Sequence, residues 1–140
     1  MENGMVNSYE RAELLTALWK LGAEGALMPT SHGILDRAIS ERRNQLPDVL
    51  TQDLTFSVTG VGLRCLELPD ILLAAQEAML TSEPNPTYLS TVVTLDEEEA
   101  RQIVLANGLS TLQARELGAA LLESVDRIRA PLREAMALED

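Results

Sequence analysis

The chain has 140 residues, of which 22 are acidic and 11 are basic, and its formal net charge is −11. A chain of this length buries roughly 70% of its unfolded surface and needs no metal or disulfide to fold, so we predict a single domain over residues 1–140. The acid excess and a single lysine, Lys20, argue against nucleic acid and anionic membranes as partners, because both are bound largely through Lys and Arg.

The sequence shows no targeting signal and no means of forming an internal disulfide. Residues 1–6 lack the basic region that opens a signal peptide, and apolar runs such as residues 71–75 are far shorter than the ~20 residues of a membrane helix. Cys65 is the only cysteine, which excludes a disulfide within the chain and a cysteine-based zinc site. We therefore expect a soluble cytoplasmic protein without membrane contact and without a cofactor.

The first fifty residues contain two stretches with helical periodicity. One begins near Ser8, carries leucines spaced by three and four residues, and is expected to end at Gly22. The other follows Thr30 or Ser31 as its cap and places apolar residues on one side and charged residues largely on the other, as far as Pro47. We predict two N-terminal helices.

Apolar and polar residues alternate over residues 54–68, which predicts a β-hairpin. A two-residue turn at Thr59-Gly60 would bring the apolar residues of the two strands together on one face. The predicted pairs are Val58 with Val61, Phe56 with Leu63, and Leu54 with Cys65. This face is expected to pack on the core.

A further helix and a third strand follow the hairpin. Asp70 is the predicted cap of a helix that reaches about Leu80, with Pro69 just outside it. Residues 88–94 are rich in Thr and Val and predict a strand. The connection is long enough for a crossover, so both a parallel and an antiparallel placement of this strand stay open.

The remaining residues predict two helices joined by an Asn-Gly turn. Thr94 with Glu97 forms the pattern of a capping box for the first helix, and Ser110 with Gln113 forms it for the second. Pro131 is expected to kink the last helix or to end it near residue 130.

Together these elements predict an α+β fold. It consists of two N-terminal helices, a small three-stranded sheet made of the hairpin 54–68 and the strand 88–94 with a connecting helix, and a C-terminal αα-hairpin packed over the sheet.

None of the residue patterns that carry chemistry is complete. His32 and Cys65 form the only Cys-His combination, but Cys65 falls on the predicted core face, where a thiol has little thiolate character. The acids of residues 96–99 point about 100° apart on a helix and suit its positive N-terminus better than a metal ion. Gly60 and Gly62 lack the third glycine and the helix start of a dinucleotide motif. We assign no catalytic, cofactor-binding or metal-binding residue.

Two segments are similar to DNA-binding motifs but lack the charge that DNA needs. Residues 97–122 read as helix, turn and helix, yet the basic residues Arg127 and Arg129 come too late to reach bases. The N-terminal half is similar to a winged helix, but the element in its recognition position carries Asp48 and Asp53 and no basic residue. DNA binding stays an alternative that the charge disfavours.

The last helix carries a long amphipathic stripe whose ordinary role is core packing. It is about twenty residues long to residue 130, more than a small sheet needs, so part of the stripe could instead contact a partner or a second copy of the chain. The residues proposed for this dimer or partner surface are Leu121, Val125, Ile128 and Leu132.

These observations favour a small acidic protein-interaction or regulatory module without catalytic chemistry of its own, which binds another protein or forms a homodimer. Two alternatives stay open. One is a small-ligand-binding protein or enzyme whose pocket is assembled from distant residues, and the other is a helix-turn-helix DNA-binding regulator.

Overall fold

The computed structural model describes residues 8–23, 25–30, 33–60, 62–82 and 90–139, with side chains described as far as residue 130. These residues form six helices and four short strands, a mixture that confirms the predicted α+β class. In chain order, the elements are α1 (Ser8–Gly22), β1 (Met28–Pro29), α2 (Ile34–Glu41), α3 (Asp48–Thr51), β2 (Phe56–Thr59), β3 (Gly62–Cys65), α4 (Leu68–Glu77), β4 (Ser90–Thr91), α5 (Glu97–Ala106) and α6 (Thr111–Glu139).

Helix α1 is the centre of the molecule, and its bounds are close to those predicted. It packs against α3, α4, α5 and α6, so nearly all of its faces are buried. The hydroxyl of Thr16 is satisfied inside the helix, where it donates to the carbonyl of Ala12 at 2.7 Å. The indole N–H of Trp19 donates to the carbonyl of Ala26 at 2.8 Å, which ties the chain leaving α1 back to the helix. Residues 14–19 are all buried, so α1 has to be covered from several sides, which explains its central place.

The backbones of α1 and α6 touch at two glycines. A Cβ added at Gly118 would lie 2.8 Å from the Cα of Gly22 and closer still to the carbonyl oxygen of Leu18. Such distances are shorter than van der Waals contact, so neither position has room for a side chain. Gly22 thus ends α1 as predicted and also permits the helix crossing.

Helix α6 is longer than predicted. Its backbone stays helical through Pro131 as far as Glu139, so the expectation that it ends near residue 130 is wrong. The fixed φ of proline suits a helix, and the residue costs the helix a hydrogen bond without ending it. Even so, no helix among the described residues has the length and apolar composition that crossing a membrane requires.

The strands form two separate antiparallel pairs, which corrects the predicted three-stranded sheet. β4 pairs with β1, with Met28 opposite Thr91, and Thr81 forms an isolated bridge with Val93. β2 pairs only with β3 among the described strands. The third predicted strand therefore joins a two-residue strand near the N-terminus, antiparallel, and not the hairpin. Residues 88 and 89 of that prediction lie outside the described residues.

The hairpin is present, but its turn lies one residue later than predicted. Thr59 pairs with Gly62, so the turn lies between these two residues. Gly62 has a φ of 108°, a conformation that only glycine adopts without strain, and this moves the turn. The observed pairs are Val58 with Leu63 and Phe56 with Cys65. A shift of two residues in the pairing keeps the same side chains on each face.

The hairpin covers the core only at its base. Cys65 and Leu54 are buried, whereas Val58 near the tip is 83% exposed. The guanidinium of Arg43 lies 5.3 Å from the centre of the Phe56 ring, so this ring is covered by a cation. The predicted core face thus ends about halfway along the strands.

Two helix starts differ from the predicted caps. Helix α2 begins after Gly33, which has a φ of 66° and supplies no side-chain cap, so the prediction of Thr30 as the cap is wrong; Ser31 lies outside the described residues. Helix α4 begins at Leu68 with Pro69 inside its first turn, and Asp70 is not its cap. Proline fits the first turn because the N–H groups there have no partner in the helix.

The last two helices show that a sequence can offer more than one residue as the N-terminal cap of a helix. The Asp96 carboxylate accepts from the Glu99 N–H at 2.8 Å and caps α5, whereas the hydroxyl of Thr94 donates to the carbonyl of Met79. Thr94 is therefore committed to the end of α4 and the predicted capping box is wrong. The box predicted for α6 is confirmed, since Ser110 and Gln113 bond each other reciprocally at 2.9 and 3.0 Å.

Candidate functional site

Cys65 is placed as a core residue. Its side chain is buried, its backbone N–H donates to the Asp36 carboxylate at 2.7 Å, and its Sγ lies 3.8 Å from Oε1 of Glu67. Burial raises the pKa of the thiol to about 11, so the thiol is protonated at neutral pH. His32 lies outside the described residues. Cys65 is thus inaccessible and unreactive in this conformation.

The acidic side chains of Asp96, Glu97 and Glu98 at the start of α5 each interact with a different group. Besides the Asp96 cap, Glu97 forms an ion pair with Arg115 of α6 at 3.3 Å, and Glu98 forms one with Arg101 at 2.5 Å. Across the described ranges, no three His, Cys, Asp or Glu side chains meet in a way that could hold a metal ion. These acids therefore cap the start of α5 and connect α5 to α6 through the Glu97–Arg115 ion pair.

Arg11 is a buried cation that the sequence did not single out. Its guanidinium donates to the backbone carbonyl of Gln52, and its Nε has no hydrogen-bond partner in the described part of the chain. Burial alone would raise the pKa of Glu67, but hydrogen bonds from Thr55 and the nearby charge of Arg11 lower it below the usual value. Arg11, Gln52 and Glu67 thus join α1 to the segments on either side of the hairpin.

The two segments considered for DNA binding are helical and contact α1. The first half of α6 lies on α1 with Ala114 buried, and Arg115 and Glu116 on its other side are exposed. The short element after Pro47 is α3, a helix of four residues with Leu50 buried against α1. DNA binding stays an alternative that the acidic charge of the chain disfavours.

The stripe proposed as a dimer or partner surface lies mostly in the core. Leu121 and Val125 are fully buried and Ile128 is nearly so, because α6 packs this stripe against α1 and α2; the side chain of Leu132 lies outside the described ones. Core packing explains the three described residues, which offer no surface to a second chain in this conformation. Self-association stays a prediction.

A polar cleft of about 620 Å³ opens between the end of α1, the start of α5 and α6. Its charged lining is balanced, with Lys20 and Arg115 against Glu97 and Glu116, and the Arg115–Glu97 ion pair crosses it. The size is within the range of ligand sites, but such sites have mostly apolar walls. The size and the charged lining of the cleft favour the small-ligand alternative.

A smaller and more apolar groove of about 290 Å³ lies between α4 and the chain segments that pair with β4. We call it the α4 groove. It is lined by Thr30, Pro69, Leu72, Leu73, Gln76, Thr81, Ser82 and Thr91. One wall is therefore the side of a helix with two leucines and a proline, and the opposite wall consists of hydroxyl side chains.

The hydroxyl wall of the groove is held together by hydrogen bonds. The Thr91 hydroxyl donates to the carbonyl of Ser82 at 2.6 Å, and the Val92 N–H donates to the Ser82 hydroxyl at 3.2 Å. The backbone N–H of Ser82 in turn donates to the carbonyl of Val92 at 2.9 Å. These bonds give the groove a defined wall opposite the leucines.

Large apolar residues are exposed along and beyond α4. Leu73 is 53% exposed in the middle of the helix, Leu66 is exposed just before it, and Met79 is 82% exposed just after it. Met79 also has a φ of 64°, in the left-handed region, at the position after a helix where glycine is usual. We call Leu66, Leu73, Met79 and the groove together the α4 surface. Sequence reasoning missed it.

Comparisons of the chain with protein-family models, with curated proteins and with solved structures find no match.

Proposed function

We propose that this chain is a protein-interaction module without catalytic chemistry of its own, and that its α4 surface binds another protein. The observation that carries the proposal is Met79. A non-glycine residue in the left-handed region costs roughly 1–2 kcal/mol, and exposure denies this side chain the compensating gain of burial. A flexible thioether held at the surface against this cost suits contact with a partner.

The order of the elements supports the same surface. We infer that α1, β1, α2, α4 and the paired segments at Thr81 and β4 form a framework similar to a winged helix, with residues 42–67 inserted before its third helix. In that framework α4 takes the position of the helix that enters DNA. Its only charged residues, Asp70 and Glu77, are acids that phosphates would repel, which favours a protein as the partner.

The proposal is tested by quantitative capture of proteins from the native cytosol, the compartment where we expect the encounter. Wild type is compared with Leu73→Glu and Met79→Gly, and with Leu105→Glu as a matched control, because Leu105 is 60% exposed on α5. We expect a protein that wild type and the control retain, and that both α4-surface variants lose. Identical captured proteins for all four chains would show that the α4 surface is not the binding surface.

Met79→Gly separates binding from folding. Relief of the left-handed strain outweighs or balances the entropy lost by glycine, so the free energy of unfolding should be unchanged or up to about 1 kcal/mol higher. Urea unfolding measures it. A variant that binds less while folding equally well or better assigns the methionine to a partner. A clear loss of stability would instead give Met79 a role within the chain.

A second function, binding of a small polar ligand, is favoured by the cleft that Lys20 and Arg115 line. A ligand present at about 100 times its dissociation constant raises the free energy of unfolding by about 2.7 kcal/mol. A thermal-shift screen with charged metabolites would detect this, and Lys20→Ala should abolish the shift. Shifts that are equal in wild type and Lys20→Ala would place the ligand elsewhere.

A further inference from the structure

Building on the proposed function, we propose that the α4 surface binds a basic amphipathic segment of its partner, with apolar side chains in the α4 groove and Lys or Arg beside Asp70 and Glu77. The inference rests on three properties of the surface. These are the composition of the groove, the spacing of charges along α4, and the charge of the whole chain.

The groove itself is suited to apolar side chains. None of its eight lining residues is charged, and Pro69, Leu72 and Leu73 line its helical wall. Its volume of about 290 Å³ is at or below the ~300 Å³ at which small-molecule sites begin. It therefore accommodates a few side chains of a larger partner better than a complete ligand.

The exposed side of α4 alternates acid and leucine. Asp70, Leu73 and Glu77 are all exposed and are spaced by three and four residues, so they form one stripe along the helix. The two acids are about 10 Å apart along the axis. Among the described residues, neither takes part in an ion pair. A partner segment that matches this stripe places a cation at each end and an apolar side chain between them.

The charge of the chain argues against a second copy as the occupant. The net charge of −11 makes two copies repel each other, and residues 54–109, which contain α4, have only two basic residues against eight acidic ones. A basic segment would be attracted to this acidic region, whereas a second copy of the acidic chain would be repelled by it.

The probe is a synthetic fluorescent peptide of about three helical turns, with Lys at the positions that match the two acids and Leu between them. Binding is measured by fluorescence anisotropy, and a peptide with Glu in place of every Lys is the control. We expect saturable binding of the Lys peptide alone, weakened several-fold when NaCl rises from about 30 mM to about 300 mM.

Variants of the chain locate the contact. Leu73→Glu should weaken binding about tenfold or more, and Asp70→Asn with Glu77→Gln should weaken it and remove most of its salt dependence. Two matched controls should bind like wild type. They are Leu105→Glu, and the pair Glu116→Gln with Asp126→Asn, which removes the same charge from exposed positions of α6.

Circular dichroism melting confirms that each variant is folded before binding is compared. If Glu116→Gln with Asp126→Asn weakened peptide binding as much as Asp70→Asn with Glu77→Gln, the peptide would be attracted by the net charge alone. That result would overturn the inference. So would binding of the Glu peptide, an absence of saturable binding, or light scattering that shows a dimer abolished by Leu73→Glu. If capture from the cytosol still depends on Leu73 when the peptide does not bind, the interaction surface stands and only the basic segment is wrong.

Discussion

Helices α6 and α4 both carry leucines at helical spacing, yet the chain covers the leucines of only one of them. On α6, Leu121 and its neighbours lie against α1 and α2, and polar bonds close the edge of this contact. Arg42 donates to the Ser124 hydroxyl at 2.8 Å and pairs with Glu123, and Arg127 binds the Glu41 carboxylate with two nitrogens.

On α4, the described residues form no comparable ion pairs around the exposed side chain of Leu73. Leu73 lies between two acids that form no ion pair within the described part of the chain, and Met79 follows in a strained conformation. The comparison teaches that an apolar stripe is not enough to identify a binding surface. On α6, charges at the edge of the stripe are paired across a contact within the chain, whereas the two acids on α4 form no ion pair among the described residues.

The strongest test of the closed contact is the glycine crossing of α1 and α6. Gly118→Val would force its side chain into the backbone of α1 and should cost about 4 kcal/mol or abolish folding. Ala119→Val, one residue along and exposed, is the control and should change the free energy of unfolding by less than about 1 kcal/mol. Equal unfolding curves for the two variants would show that the helices are not in backbone contact.

Leucine truncation compares the two stripes directly. Leu121→Ala removes a fully buried side chain from the core and should cost about 3 kcal/mol. Leu73→Ala removes a half-exposed one and should cost less than about 1 kcal/mol. Urea unfolding measures both. A cost at Leu73 that equals the cost at Leu121 would mean that α4 is covered in solution, for instance by a second copy of the chain.

The polar edge of the α2–α6 contact should matter less than its core. Ser124→Ala removes a buried hydroxyl and leaves the half-buried Arg42 Nε without its acceptor, which should cost about 1–2 kcal/mol in unfolding free energy. Glu123→Gln disturbs a carboxylate that is mostly exposed and should cost less than about 1 kcal/mol. The reverse order of the two costs would contradict the assignment of Ser124 as the inner anchor.

The smallest expected effect is a pH dependence of the same edge. Hydrogen bonds from Arg127 lower the pKa of Glu41 in the folded chain below its usual value of 4.5, so the unfolded chain binds more protons in this range. Stability from this pair is therefore complete above about pH 5 and is lost as the pH falls through the lowered pKa. Urea unfolding between pH 3 and about pH 6 should show a shallower fall for Glu41→Gln than for wild type. Parallel curves would exclude this contribution.

Local signals in the sequence predict local structure well. Helix α1 and the Ser110–Gln113 box depend on residues within a few positions of one another, and the structure has both. The pairing of β1 with β4 joins residues about sixty positions apart through two-residue strands, which are too short to show alternation. The hairpin register depended on the φ of Gly62, which no pattern of apolar residues reveals.

The candidate site was partly visible in the sequence. The buried face of α4 consists of Leu68, Ile71 and Ala75. Leu73 lies away from this face of the helix, so the exposure of Leu73 could have been predicted from the spacing. The strain at Met79 could not, because a methionine after a helix is ordinary until its φ is known. The burial of Leu121, Val125 and Ile128 on α6 could not be read from their spacing, because the sequence does not show that α1 packs against α6.

Trp19 gives the molecule an internal optical reporter. It is the only tryptophan, it is 1% exposed in the central helix, and its indole N–H is bonded to a carbonyl. Its fluorescence should therefore be blue-shifted and protected from iodide quenching in the folded chain, and should shift to the red only when α1 loses its cover. Since Trp19 lies inside the molecule, occupation of the α4 surface should leave its spectrum unchanged, so binding and unfolding can be followed in one sample by separate signals.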